Sequence, residues 1–486
     1  MGIIKVKIAG LILGPVVFII LLRFPGFFGL SLEASRVVSL AAWMIIWWVT
    51  EAIPIFVTAL LPMVCLPLLG IFSIAESTVS YANPIIFLFM GGFIIAIGLE
   101  KHNLHSRIAL NLIKLTGTNV NGIILGFMIA TAFLSMWISN TATTVMMLPI
   151  AMSVVNLLQK PVSDHSISEQ AFRKFSLALM LSIAYSANIG GMATIIGTPP
   201  NVVLAGYIQQ FYQIDLDFGK WLMIGFPISF TLLFFTYFLI TRVLFPSRIG
   251  NIPGSSQLIK DQLKALGKFT KEEKLVTIVF TLTAASWILR KPINQLIGEN
   301  LLNDTIIAMT GGILMFLMPV KFKKAEFLLN WEDMKRLPWG ILILFGGGLT
   351  LAKGLQETGI IQLIGNNIAG MPDISLWVML LLLTTVMLFM TELMSNVALT
   401  TIFIPVVIGI AIGLDINGLI FAIPVTLAAS CAFMMPISTP PNAIVFSSGL
   451  IRMKDMIRAG FLLNLISILV LMLAAYSIIQ WVYGSI

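Results

Sequence analysis

Two clusters of hydroxyl and amide side chains interrupt otherwise apolar sequence. The first runs Leu134-Ser135-Met136-Trp137-Ile138-Ser139-Asn140-Thr141-Ala142-Thr143-Thr144. The second runs Thr391-Glu392-Leu393-Met394-Ser395-Asn396-Val397-Ala398-Leu399-Thr400. Two more stretches share the order Thr-Pro-Pro-Asn, at Gly197-Thr198-Pro199-Pro200-Asn201 and Ser438-Thr439-Pro440-Pro441-Asn442. The chemistry on offer is binding rather than bond making. Consecutive prolines remove two amide donors and break a helix. A broken helix frees carbonyls and presents a positive N-terminus. Carbonyls and hydroxyls suit Na⁺, while helix N-termini with Ser, Thr and Asn donors suit a carboxylate. Neither motif region holds Lys or Arg. An anion bound there needs helix N-termini and co-bound cations to neutralise it, which is a physical reason to expect cation coupling. The chain has no nucleotide-binding P-loop, His-Glu metal motif or Ser/His/Asp set. That excludes a nucleotide-driven pump and a membrane enzyme, and no organic cofactor is expected.

The elements that position these clusters must lie in lipid. Of 486 residues, 58% are hydrophobic and 10% charged, and the mean hydropathy is +1.00. Typical soluble domains carry about 25% charged residues. So few charges cannot cover a soluble surface of this size, so the chain reads as a polytopic membrane protein. Cytosolic enzymes, nucleic-acid binders and disordered scaffolds are excluded. The net charge of +8 reflects the cytoplasmic bias of Lys and Arg in membrane proteins. Cys65 and Cys431 lie in apolar stretches and suggest buried thiols, not a disulfide framework. The first apolar run ends at Leu22-Arg23-Phe24-Pro25 without a small-residue cleavage site, so it reads as a retained span.

Eleven runs are long enough to cross a bilayer, near 6–23, 35–50, 53–72, 83–100, 174–212, 219–245, 272–290, 304–320, 338–355, 416–451 and 457–484. Two further regions, about 121–158 and 374–412, are long enough to enter and return. With a cytoplasmic N-terminus, most of the 29 Lys and Arg fall inside. Arg23, Arg36, Lys220, Arg290 and Lys291 fall outside, and Lys353 near the end of a span. The C-terminus then lies outside. The segment 246–275, with Gly250, Pro253, Gly254 and five lysines, reads as a solvated cytoplasmic linker between two halves.

The halves repeat. At an offset of 256, Gly91-Gly92 matches Gly347-Gly348, Ser139-Asn140 matches Ser395-Asn396, and Pro149 matches Pro405. The two Thr-Pro-Pro-Asn stretches match at an offset of 241. Five spans separate equivalent elements, so the second copy enters the membrane from the opposite side. Inverted-topology repeats mark secondary transporters, with the binding site at the repeat interface near the midplane. The polar clusters read either as loops joining two full spans or as tips of re-entrant hairpins. Charge counting does not separate these, and the repeat favours hairpins, because the tips carry the best-matched polar residues. The fold class expected is all-α, with eleven transmembrane helices plus two re-entrant hairpins.

Other residues receive plainer expectations. Glu392 reads as a carboxylate held by backbone donors, with a proton site as the alternative. Glu51 reads the same way, as a structural residue. Asp215, Asp217 and Asp415 read as solvated residues of the outer face. Leu104, Ile108 and Leu112 suggest an amphipathic helix at the cytoplasmic interface.

Two Ser-Asn tips and two Thr-Pro-Pro-Asn breaks, with Thr50-Glu51-Ala52-Ile53-Pro54, resemble the divalent anion:sodium symporter family over nearly the whole chain. The resemblance implies a homodimeric elevator-type transporter of the bacterial inner membrane, moving C4-dicarboxylates such as succinate, malate and fumarate with Na⁺. It implies a scaffold over 1–120 and 276–372, and a transport domain over 121–245 and 373–486. Substrate carboxylates should then meet Ser139, Asn140 and Thr141, and Ser395, Asn396 and Val397, with Thr198-Pro199 and Thr439-Pro440 completing the pocket. At least two Na⁺ sites are implied. One uses Ser135, Ser139, Asn140 and Gly197, and the other Thr391, Met394, Asn396 and Ser438. One position departs from the bacterial dicarboxylate pattern, which has Thr where this chain has Val397. Val removes a donor, which bears on dicarboxylate against citrate preference. The family also includes exchangers with similar motifs, so Na⁺-independent exchange is the alternative coupling.

Overall fold

The computed structural model describes residues 2–24, 29–158, 167–247, 249–252, 254–369 and 375–484. The protein is mostly helical, and the named strands form one small antiparallel hairpin, Pro319–Lys321 with Glu326–Phe327. Among the described residues, eight helices are long and apolar enough to cross a membrane. They are Ile4–Arg23, Leu32–Thr50, Ile74–Lys101, Phe218–Leu244, Lys271–Ile297, Trp339–Glu357, Asn396–Gly413 and Met453–Tyr483. Four of the eleven expected runs take a different form. The run at 53–72 becomes Ile55–Leu68, and that at 304–320 becomes Asp304–Leu317. The runs at 174–212 and 416–451 are each cut in two. Glu169–Gly191 is followed by Pro199–Tyr212, and Gly418–Ala429 by Pro440–Phe446.

Local chemistry explains these ends. Pro199 and Pro440 each open a helix at its first position, where a missing N–H costs nothing. Ser168 caps Glu169–Gly191 by accepting from Ala171 N, and Thr270 with Glu273 forms a capping box on Lys271–Ile297. Gly298, at φ 80, ends that helix in the left-handed region.

The repeat is visible as matched helix order. Pro84–Lys101, Leu104–Leu115, Val120–Ser135 and Asn140–Asn156 correspond to Trp339–Glu357, Ile360–Ala369, Leu376–Met390 and Asn396–Gly413. The matched glycines admit neighbouring backbone in both copies. A Cβ on Gly91 would lie 2.5 Å from Ala308 C, and one on Gly347 would lie 2.0 Å from Ala59 O. Side-chain packing forms one large core and a smaller one. The smaller joins Leu32–Thr50, Leu61–Leu68 and Trp339–Glu357 through Leu40, Met44, Trp48, Leu66 and Leu344.

Two expectations need correction. The segment 246–275 is not simply solvated, because it contains the helix Ser255–Ala265, which packs on Leu104–Leu115 and buries Ile259. Its flanks are also tied down, by Ile252 N to Thr118 O at 3.1 Å and by the Arg107–Glu273 ion pair at 2.7 Å. The amphipathic helix Leu104–Leu115 forms, yet the residues it buries are Leu104, Ala109, Leu110 and Ile113. Ile108 and Leu112 are half-buried, so the covered stripe is turned from the expected one. The expected domain boundary at 372/373 lies outside the described residues.

Candidate functional site

Both polar clusters fold as a turn between two helices. Val120–Ser135 stops, 136–139 cross over, and Asn140–Asn156 begins with Ser139 as an extended N-cap. Leu376–Met390 stops, 391–395 cross over, and Asn396–Gly413 begins with Ser395 as N-cap. The two Thr-Pro-Pro-Asn breaks start helices at the N-cap residues Thr198 and Thr439, of which Thr439 also accepts from Asn442 N through its side chain. Four helix N-termini therefore meet at one cavity of about 1160 Å³. Each supplies a positive dipole end of about half a charge.

Its wall contains Ser139, Asn140, Thr141, Gly197, Thr198 and Pro199 from the first copy. From the second come Met394, Ser395, Asn396, Val397, Ser438, Thr439 and Pro440. Ser135 and Thr391 are absent from the wall and fully buried just behind it.

Those two hydroxyls have matching surroundings. Ser135 Oγ lies 2.6 Å from Asn140 Oδ1 and 2.7 Å from Ala187 O. Thr391 Oγ1 lies 2.7 Å from Asn396 Oδ1 and 2.9 Å from Ala429 O. A hydroxyl has one hydrogen to donate. In each copy one hydrogen serves two acceptors, so oxygen lone pairs outnumber the protons between them. A cluster of that composition fits a hard cation. Around the first cluster the backbone is crowded further, since a Cβ on Gly197 would lie 2.5 Å from Gly191 O. One on Gly191 would lie 2.6 Å from Asn140 Oδ1. Glycine at both places keeps the carbonyls close.

The unwound breaks are held by asparagines. Asn201 Nδ2 donates to Thr194 O at 2.8 Å, and Asn442 Nδ2 donates to Ala432 O and Met435 O at 3.0 Å each. Freed carbonyls at membrane depth are thereby satisfied without regular helix. Glu392 does comparable work at the second break. Its oxygens accept from Phe433 N at 2.8 Å, Met434 N at 3.0 Å and Met435 N at 3.2 Å, and from Asn464 Nδ2 at 2.8 Å. This is the backbone-held carboxylate expected from sequence. Glu51 is instead exposed, sits at φ 45 and faces Lys7 Nζ at 3.5 Å.

Asp217 was expected to be solvated and is buried at 8% exposure, paired with Arg290. Asp215 and Asp415 are exposed as expected. Sequence reasoning missed Asn188, which lines the cavity and donates to Thr439 Oγ1 at 3.2 Å, linking the two copies. Its signal was present, as an amide inside the apolar run 174–212. The carbonyls of Ala187 and Ala429 had no signal, because backbone oxygens are the same at every residue.

The cavity's opposite wall is apolar, with Trp48, Phe56, Phe89, Phe93 and Leu344. Phe89, Phe93, Ala96, Ile97 and Glu100 follow one face of Pro84–Lys101 over about 16 Å at 1.5 Å per residue. Glu100 pairs with Arg336 at 2.7 Å, and both line the cavity together with Lys7 and Glu51.

The two copies are covered unequally. Leu393 and Ile437 are 71% and 76% exposed, while Ile196, equivalent to Ile437, is 8% exposed. Trp137, equivalent to Leu393, packs edge-on against Phe280 at 5.0 Å.

The sequence matches the family described as "Sodium:sulfate symporter transmembrane region" over residues 5–484. It is 41% identical over 480 residues to the sodium-dependent dicarboxylate transporter SdcS of Staphylococcus saprophyticus, covering 98% of this chain and 92% of that one. The same protein of Staphylococcus aureus strain RF122 is 39% identical over 480 residues, with the same coverage. Among solved structures, the antimetabolite efflux pump MtrF of Neisseria gonorrhoeae resembles it with a TM-score of 0.54 at 12% identity, over 85% of this chain and 84% of that one. That likeness concerns the fold alone.

Proposed function

The chain belongs to the sodium:sulfate symporter family, the divalent anion:sodium symporters, and from that premise we propose that it carries C4-dicarboxylates into the cytoplasm together with Na⁺. The observation that carries this reading is the meeting of four helix N-termini and two proton-poor oxygen clusters at one cavity. The relatives named as sodium-dependent dicarboxylate transporters support it.

The dianion sits between the tips. Ser139, Asn140 and Thr141 face one carboxylate, and Ser395 and Asn396 the other. Thr198-Pro199 and Thr439-Pro440 close the pocket, and Val397 abuts the second carboxylate's surroundings. Two Na⁺ ions are co-transported. One is held by Ser135, Ser139, Asn140 and Gly197, and the other by Thr391, Met394, Asn396 and Ser438. Their charges offset the dianion, since the lining cations Lys7 and Arg336 are already paired with Glu51 and Glu100.

The chain crosses the membrane eleven times with two re-entrant hairpins, the N-terminus inside and the C-terminus outside, in the bacterial inner membrane. The hairpins with 169–212, 218–245 and 416–484 form a transport domain. It moves as an elevator against a scaffold of 1–120 and 276–372, which holds a homodimer. The lining of the cavity by Lys7, Glu51, Glu100 and Arg336, which lie on the cytoplasmic side in this topology, supports a state open toward the cytoplasm.

The test is uptake of labelled succinate into liposomes with an inward Na⁺ gradient, and with K⁺ in place of Na⁺. Na⁺-requiring accumulation in empty liposomes is the expected result. Uptake that ignores Na⁺ and requires internal substrate would make the protein an exchanger and overturn the coupling.

A further inference from the structure

A buried charged cluster lies outside the cavity's lining. Glu273, near the start of Lys271–Ile297, pairs with Arg107 of the cytoplasmic helix Leu104–Leu115, whereas Arg290 lies 17 positions further on, about 25 Å along the helix. There Arg290 Nη2 pairs with Asp217 Oδ2, and Arg290 Nη1 pairs with Asp304 Oδ1 at 2.8 Å. Lys291 Nζ approaches Asp217 Oδ2 at 3.8 Å.

The cluster joins two bodies. Asp217 caps Phe218–Phe238, which packs on Met453–Ala474 and Glu169–Gly191. Arg290 and Asp304 belong to helices that pack on each other and on Pro84–Lys101. Asp304 Oδ2 also accepts from the N–H of Phe218, the first residue of the facing helix, at 2.8 Å. The Phe218 ring stacks on Trp287 at 4.7 Å, and Trp287 Nε1 donates to Asp304 O at 3.0 Å. Asp217 and Asp304 are 8% and 6% exposed.

We propose that Asp217, Arg290 and Asp304 form an ionic latch that closes the outer side of the protein and must open in each transport cycle. The proposal rests on the elevator reading, in which Asp217 travels with the transport domain while Arg290 and Asp304 stay with the scaffold. Breaking a buried pair is costly when the partner charge stays buried. Here the outward movement that separates them also admits water, which solvates both charges as they part. The latch therefore biases the two states without trapping either, and Arg290 is a positioning residue rather than a ligand for substrate.

Asp217→Asn is the discriminating change. Asn also caps helices, so the hydrogen bond from Lys220 N to Oδ1 at 3.0 Å survives. The Arg290–Asp304 pair stays inside the scaffold. Only the charge across the boundary is lost. The readout is modification by a membrane-impermeant maleimide of single cysteines introduced where the two copies are covered unequally. Ile437→Cys reports the cytoplasmic side, and Ile196→Cys, at a position 8% exposed on the wall of the same cavity, reports the outer side only through reagent added from outside.

In protein with Asp217 intact, Ile437→Cys should label from inside only. Labelling equally from both sides would overturn the alternating-access reading, and the latch with it. Adding Asp217→Asn should raise labelling of Ile196→Cys from outside about tenfold, because a minor state grows in proportion to the lost bias. One-sided labelling of Ile437→Cys with an unchanged outer rate at Ile196→Cys would overturn the latch alone. Asp217→Ser, which also caps and carries no charge, should reproduce the increase. If either variant lowers the thermal unfolding midpoint without raising the outer rate, the cluster is structural and the latch is overturned.

Discussion

Thr141 and Val397 hold the same place on the two tips, each one residue past the Asn that starts its helix, and both line the cavity. One tip offers a hydroxyl at this place and the other offers methyl groups. Val397→Thr restores a donor at the second tip with almost no change in shape. The ratio of succinate to citrate transport should shift by about tenfold or more, since a hydrogen bond to a charged group is worth roughly 1.5–3 kcal/mol. Competitive uptake measures it, and an unchanged ratio would remove this position from selectivity.

Ser135→Ala and Thr391→Val each delete a hydroxyl that sits between two acceptors. Each proposed Na⁺ site then loses one oxygen ligand, at a residue that does not line the cavity. The Na⁺ concentration for half-maximal uptake should rise about tenfold in each variant, with a smaller change in the substrate KM at saturating Na⁺. Titrating uptake against Na⁺ checks this.

Asn140→Ala and Asn396→Ala remove the amide oxygens on which both clusters converge. Uptake should fall to background, while the purified proteins keep the size-exclusion profile of the parent. Parental uptake in both would sink the assignment of the tips.

Glu392→Gln replaces a carboxylate with an amide whose NH₂ must face N–H donors of Phe433, Met434 or Met435. At least one donor loses its acceptor in a buried place. The expected destabilisation is about 2–4 kcal/mol, visible as a lower unfolding midpoint in detergent. A parental midpoint would mean that the break holds its shape without the carboxylate.

Much of this arrangement was legible because the repeat writes it twice. Ser139-Asn140 and Ser395-Asn396 could be paired by spacing alone, and the proline pairs announced where helices stop. The carbonyls of Ala187 and Ala429 were not legible, since backbone atoms carry no residue type. Asp217 was misjudged for a different reason. Its partner Arg290 lies in another element, and pairing across elements sets burial in a way that local polarity does not reveal. The linker's packing is not legible because the two lysines of Ser255–Ala265, Lys260 and Lys264, mark only its solvent face, and the contact made by Ile259 depends on a helix far away in sequence.

Pro199-Pro200 and Pro440-Pro441 remove the amide hydrogens from the first two positions of their helices, and the next are already used, Asn201 N by Thr198 O at 3.2 Å and Asn442 N by Thr439 Oγ1 at 3.5 Å. Those two helices therefore act on a bound anion through their field, which is soft in direction. The tips differ, because Asn140, Thr141, Asn396 and Val397 occupy first-turn positions whose N–H groups have no acceptor within the helix. Aimed contacts come from the tips and diffuse attraction from the breaks. In the proposed mode of binding, the distance between the tips works as the ruler that measures a substrate's carboxylate spacing, while the backbone of the proline-led helices registers its total charge.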